Sequence, residues 1–157
     1  MFGKLNGNEI DRFLHQQLIG RIGCQDNGIV YVVPISYVFD DDYLYAHTGE
    51  GMKIEIMRNN PDVCFETDDL ENMANWKSVI CWGKFEEIRD EKTRTKAIQK
   101  LATRVLPNRI SRTVHLFPEF PFLPENVNTL EGVVFRIKLE KKTGRFEKYE
   151  PAMHNCG

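Results

Sequence analysis

Apolar and polar positions alternate through most of this chain, and in three places the alternation gives way to a helical stripe. Ile10, Phe13, Leu14 and Leu18 recur at helical spacing behind Asn8, which predicts a helix over residues 8–18 with Asn8 as its cap. Residues 19–24 then read as a strand, closed by the hairpin signal Asp26, Asn27, Gly28. Residues 29–39 continue as a longer strand interrupted at Pro34. Proline cannot donate to a ladder, so this point is an edge, a bulge or a stop in pairing. Asp40, Asp41 and Asp42 make a second tight turn into a strand over 43–48. Met52, Ile54, Ile56 and Met57 supply the apolar faces of a short helix, which Asn59, Asn60 and Pro61 end. A strand at 62–67, a polar connection at 68–75 and a strand at 76–88 follow. In the last of these, Val79, Cys81 and Phe85 share one face and Ile80 and Trp82 the other, so its first half is covered on both sides or meets a partner. Asp90 caps a long helix to Leu106, with Ala97, Ile98, Leu101, Ala102, Val105 and Leu106 as its stripe and Pro107 and Asn108 as its stop. Residues 115–124 read as an ordered aromatic and proline-rich loop, packed on the body or on a partner or covering a ligand. A strand at 132–139, a turn at Thr143 and Gly144, and a short strand at 145–149 finish the pattern. Seven short strands, tight hairpins and three helices predict a mainly β (α+β), barrel-like domain.

Length fits one domain over residues 1–157 with a substantial core. Hydrophobic residues make up 41% and charged residues 28%, the balance of a globular protein. The net charge of −2 gives no general pull toward nucleic acid or anionic membrane. No apolar run reaches the ~20 residues that span a bilayer, and no leader pattern is visible. Cys24, Cys64, Cys81 and Cys156 form no CxxC pair, and the first three lie in β-like runs, where a free thiol is a small core hydrophobe. This favours the cytoplasm. The three adjacent aspartates lack the spacing of a calcium loop, so no metal site is expected. Arg104, Arg109 and Arg112 form a local basic cluster, most simply a solvated face.

The candidate chemistry gathers at residues 43–60. A strand ends in His47 and Thr48, a turn carries Gly49 and Gly51, and Lys53 stands in the first turn of the following helix. The first amides of a helix have no intrahelical partner and lie at the positive end of its dipole. Glycines there permit positive φ and a close approach, and a lysine in the first turn is mildly unfavourable unless an anion is bound. The pattern reads as a phosphate cradle, with an ordinary strand-to-helix connection as the plain alternative.

Five segments in order add a resemblance: GRIGC at 20–24, YVVPISYVFDDDYLYAHT at 31–48, GMK at 51–53, NNPDVCFE at 59–66 and WKSVICWGKFEEI at 76–88. Together the series resembles the FMN-binding split-barrel superfamily, and within it the pyridoxamine 5′-phosphate oxidase-related proteins of the nitroimidazole-reductase type. The resemblance implies a split β-barrel of about six or seven antiparallel strands with flanking helices. It also implies a homodimer with two FMN sites at the subunit interface. Carried over by position, it sets Val33, Pro34, Ile35 and Ser36 in the strand whose backbone faces the flavin ring. It sets His47 and Thr48 near the flavin, and Met52 and Lys53 at the FMN phosphate. Trp76, Lys77 and Ser78 match the start of the strand that approaches the cofactor, from the same or the other subunit. Met52 departs from the arginine that many pyridoxamine phosphate oxidases carry there. Their substrate-binding tryptophan and arginine near the C-terminus are not evident either, which argues against pyridoxamine phosphate as substrate.

The implied activity is an FMN-dependent oxidoreductase. A reduced nicotinamide, NADH or NADPH, would reduce FMN, and the flavin would reduce a small-molecule acceptor such as a nitroaromatic. His47 would be the catalytic candidate, as proton donor or as an orienting group. Two other classes stay open. One is a non-catalytic flavin-binding protein. The other is a haem-binding split barrel, for which His15, His115 and His154 are the candidate axial ligands.

Overall fold

A computed structural model describes residues 1–105 and 131–151. Its elements in chain order are β1 (Phe2–Lys4), α1 (Gly7–Gln16), β2 (Ile19–Asp26), β3 (Ile29–Ser36), β4 (Val38–Asp40) and β5 (Tyr43–Thr48). They continue with α2 (Met52–Asn59), β6 (Asp62–Asn72), β7 (Asn75–Glu87), α3 (Glu91–Val105) and β8 (Val133–Glu147). All pairing is antiparallel, in the order β3-β2-β6-β7-β8-β5-β4, with β1 added to the far end of β8. The two ends of this path, β3 and β4, are joined through Tyr37, and β3 also approaches β5. The sheet therefore curls into the expected split barrel. Tyr37 is pinned at the seam: its amide donates to the Leu18 carbonyl and its hydroxyl to the Leu14 carbonyl at 2.7 Å.

Both hairpin signals hold. Asn27 and Gly28 have φ of 50° and 79°, and Asp41 and Asp42 have 46° and 62°. Positive φ at both central residues matches the twist of the strands that each turn joins. The inward faces of the strands make one core, which includes Ile22, Phe65, Val79, Cys81, Phe135 and Ile137. Ile10, Phe13 and Leu14 of α1 and Ile54 and Met57 of α2 join it. The predicted α3 stripe packs outside the barrel, where Ala97 and Ile98 meet Tyr45, Ile88 and Val134. Strand β5 is thus covered on both faces.

Several boundaries differ from the sequence reading, each for a physical reason. The cap of α1 is Asn6, not Asn8: its side chain accepts from the Glu9 amide and the Glu9 carboxylate accepts from the Asn6 amide. This capping box starts the helix earlier, and the helix stops before Leu18. Pro34 does not interrupt β3, because β3 is an edge strand that pairs only with β2 along this path and Pro34 sits in register with Arg21. The break falls at Tyr37. The polar connection at 68–75 is mostly ladder: β6 and β7 pair out to Asn72 and Asn75, where the Asn72 side chain closes the turn on the Ala74 amide. Thr143 and Gly144 form no turn. They lie inside the single long strand β8, which pairs along all of β7 beyond Asn75 with one irregularity at Trp82 and Gly83. Gly144 serves close packing, since a Cβ there would sit 2.9 Å from the Leu5 side chain. Among the described residues the strands number eight, because β1 adds one, 29–39 divides and 132–149 does not.

Among the described residues Cys24, Cys64 and Cys81 are free thiols, the first and last buried. Among them also, no helix is long and apolar enough to cross a membrane. The aspartate turn is ion-paired, with Asp40 to Lys100 at 2.5 Å and Asp42 to Lys142 at 3.0 Å. Arg104 donates to the Gln17 carbonyl. Arg109, Arg112, His115, His154, Cys156, the helix stop at Pro107 and the loop at 115–124 lie outside the described residues.

Candidate functional site

Helix α2 begins at the predicted turn. Gly51 is its N-cap, no side chain caps it, and its first intrahelical bond runs from the Glu55 amide to the Gly51 carbonyl at 3.1 Å. The amides of Met52, Lys53 and Ile54 therefore have no acceptor within the helix. Neither Gly49 nor Gly51 uses positive φ, contrary to the reading of their freedom. Their value is space: a Cβ on either would meet nothing within 4 Å, so the turn is open above the backbone.

Lys53 is half-buried and forms no ion pair with a carboxylate among the described residues. Burial pushes its ammonium below the ordinary lysine range, and the nearby Cys24 thiol opposes that only in part. Burial also raises the Cys24 thiol above its ordinary value, and the charge of Lys53 opposes this only in part. A half-desolvated cation beside unpaired amides is the donor set that a phosphate fits. Met52 is 45% exposed at the first helical position.

His47 and Thr48 end β5, in register with Val134 and Val133. The His47 Nε2 lies 2.7 Å from the Glu131 carbonyl. A carbonyl only accepts, so Nε2 carries the proton. Gly132 follows with φ 100°, and a Cβ on it would lie 2.9 Å from His47 Nε2 and 2.7 Å from the Thr48 carbonyl. Glycine is needed there on both counts.

The β3 candidates split by face. Register with β2 places Val33 and Ile35 on the core side and Pro34 and Ser36 on the outer side, next to Val32 at 62% exposed. Trp76 and Ser78 also point outward from β7. Trp76 donates Nε1 to Glu147 at 3.0 Å and stacks edge-on against Phe2. Ser78 donates to Glu66 at 3.0 Å, within a cluster where Arg21 pairs with Glu66 and Asp68. Burial raises the Glu66 carboxyl, and the Ser78 hydrogen bond lowers it only in part.

One chain does not bring all these residues together. Lys53 is close enough to the core-side Cys24 to influence its ionisation, whereas Ser78 stands on the outer face. Cys24 pairs with Val63 and Ser78 with Asp68, five positions further along β6, which is roughly 16 Å at the usual strand rise. Unforeseen around the turn is an ion-pair network. Arg58 grips Glu50 through two bonds of 2.9 Å and also reaches Glu87, which Arg89 holds from its other side. Its members are ordinary charged residues far apart in sequence, and no local pattern marks them. Arg58, Arg89, Arg94 and Glu87 line an open cavity of about 310 Å³ beside Gly132 and Val133.

A family model for pyridoxamine 5′-phosphate oxidase matches residues 6–146. The crystal structure of an FAD-binding protein from Mesorhizobium loti is 32% identical, covers 94% of this chain and 99% of its own, and superposes with a TM-score of 0.73. A Bacteroides thetaiotaomicron protein provisionally named for 5-nitroimidazole antibiotic resistance shares the fold at 23% identity, over 93% of this chain and 87% of its own, with a TM-score of 0.69. An uncharacterized protein of Rhizobium meliloti (strain 1021) is 33% identical over 70 residues, 45% of this chain. The match spans 46% of that relative's length, so less than half of it is represented. The family model covers nearly the whole described chain and the Mesorhizobium relative aligns over its full length, so this chain belongs to the pyridoxamine 5′-phosphate oxidase family.

Proposed function

We propose that the protein is a flavin-dependent oxidoreductase that holds flavin mononucleotide by its phosphate at the start of α2. The observation that carries this is Lys53: a half-buried ammonium with no carboxylate partner among the described residues, beside first-turn amides that lack intrahelical acceptors. A bound flavin would supply hydride and electron transfer, and the protein supplies binding, orientation and electrostatics. Met52, Lys53 and Thr48 would hold the phosphate end. The exposed edge of β3, from Val33 to Ser36, would offer main-chain groups to the ring.

The outward-facing Pro34, Ser36, Trp76 and Ser78 support a homodimer in which each site draws on both subunits. They lie on the outer face of the sheet, whereas the Cys24 that Lys53 influences is buried in the core, and the apolar Val30 and Val32 beside Pro34 are exposed. His47 is held by Glu131 through Nε2. That tether favours an orienting role over proton delivery from this nitrogen. The acceptor class we favour is a nitroaromatic, with NADH or NADPH as reductant. The name of the Bacteroides relative supports this, and its likeness to this chain reaches only the fold.

A second reading has its own support. The Mesorhizobium relative binds FAD, and a cradle that grips the first phosphate would accept either flavin. Titration of the flavin-free protein with FMN, FAD and riboflavin tests both. The proposal expects FMN to bind far more tightly than riboflavin, and Lys53→Ala to abolish that difference. Equal affinity for all three would remove the phosphate site from the account, and a preference for FAD would favour the second reading.

A further inference from the structure

We propose that Arg58 is a positioning residue for the anion turn: it holds Glu50, the one carboxylate inside the turn, off the phosphate that the turn receives. The inference rests on the flavin reading above and deepens it.

A carboxylate between Gly49 and Gly51 is out of place in an anion site. Its charge has the same sign as the ligand, and the positive end of a helix would draw it toward the amides that a phosphate would use. The structure shows where that charge goes. Both Glu50 oxygens are taken by one guanidinium, with Arg58 Nη1 2.9 Å from Oε2 and Nη2 2.9 Å from Oε1. This fork geometry fixes direction as well as distance. The Glu50 carboxylate is therefore committed to a guanidinium carried by the last turn of α2, and both of its oxygens are engaged there.

Arg58 is itself held. Its Nη2 reaches Glu87 Oε1 at 2.5 Å and its Nε reaches Oε2 at 3.3 Å. Glu87 belongs to the end of β7, is only 14% exposed and receives Arg89 as well. The turn is thus tied through Arg58 to the end of β7, where Glu87 pairs with Phe135 of β8. Glu50 is 62% exposed, and an ion pair so exposed adds little stability. Its consequence is the placement of charge.

The test is fluorescence titration with FMN, and with riboflavin in parallel, on the flavin-free protein and four variants: Arg58→Ala, Glu50→Gln, the double variant and Lys53→Ala. An unpaired carboxylate a few ångströms from a phosphate dianion weakens binding by about ten-fold in a largely aqueous setting. Arg58→Ala is expected to lose FMN affinity by that factor and to keep its riboflavin affinity. Glu50→Gln is expected to bind FMN at least as well as the parent, and to restore most of the lost affinity when added to Arg58→Ala. The loss should shrink in high salt. Arg58→Gln, with an unchanged thermal midpoint, guards against a folding defect in the alanine variant.

A double variant as weak as Arg58→Ala would overturn the proposal, since Arg58 would then act on the ligand itself or on the backbone. So would normal FMN affinity in Arg58→Ala while Lys53→Ala is impaired. If Lys53→Ala also binds FMN normally, the phosphate-site reading falls, and the role of Arg58 falls with it.

Discussion

Along β7 and β8 the inward side chains are closed over: Val79 and Cys81 are fully buried, Phe135 is 1% exposed, and Phe85 and Phe135 pack at 5.3 Å between ring centres. On the flanking elements β3 and α2 it is otherwise: Val30 is 75% exposed, β3 pairs with β2 alone among the described strands, and α2 starts without a side-chain cap. The first region uses apolar residues and full ladders to make a rigid frame. The second leaves main-chain donors, a cation and apolar side chains without partners among the described residues. Each is a cost that packing alone would have removed, and the costs concentrate where the family resemblance places the cofactor. Within a fold, the candidate site shows itself as the region where consistency between sequence and packing lapses.

That contrast can be broken first in the frame. Phe135→Ala removes a ring from the closed core and is expected to cost about 3–5 kcal/mol in denaturant unfolding. Val32→Thr on the flank is expected to stay within about 0.5 kcal/mol for the isolated chain. Equal losses would erase the distinction between the regions. Next is Lys53→Ala, which is expected to lower FMN affinity on the order of 50-fold, the scale of a charge-assisted hydrogen bond. The flavin-free variant should be no less stable than the parent, because burial of the ammonium is unfavourable there.

A smaller effect lies at the junction of the regions. Hydrogen bonds from Arg58 and Arg89 hold the Glu87 carboxyl below its ordinary value of 4.5. A carboxylate with a depressed folded-state pKa stabilises fully above the unfolded value, and the contribution is lost as pH falls through the folded one. The acid limb of the stability curve should therefore steepen below about pH 4.5, and Glu87→Gln should flatten it; an unchanged limb would detach Glu87 from the network. The smallest effect is expected at His47. With Nε2 tied to the Glu131 carbonyl, His47→Ala should change nitroaromatic turnover by less than about ten-fold, short of the 10²–10⁴-fold typical of a lost general acid. A loss in that larger range would make His47 the proton donor.

Much of the frame was legible before any coordinates. The two hairpins were written in Asp26 to Gly28 and Asp40 to Asp42, because only a few residue types accept positive φ at both turn positions. The stripe of α3 was plain at Ala97, Ile98 and Leu101. Polar composition hid the outer part of the β6–β7 ladder, since Asp69 to Asn72 are exposed and no apolar alternation is needed there. Gly144 was misread as a turn because glycine signals both bends and close packing, and only the neighbouring Leu5 and Ile10 decide between them. At the site, Lys53 and the uncapped turn were local and readable. The Arg58–Glu50–Glu87 network was not, because Glu87 reaches Arg58 from 29 residues away and only the fold brings the two together. The separation of Lys53 from Trp76 and Ser78 was equally hidden, since the face on which a strand residue falls depends on register with its neighbours.

The most direct measurement is the absorption spectrum of the purified protein, with the released cofactor identified by mass. The account predicts a flavin spectrum and the mass of FMN, in a stoichiometry that Lys53→Ala reduces. A colourless protein that fails to take up added FMN or FAD would contradict it, as would a haem Soret band in place of flavin absorption.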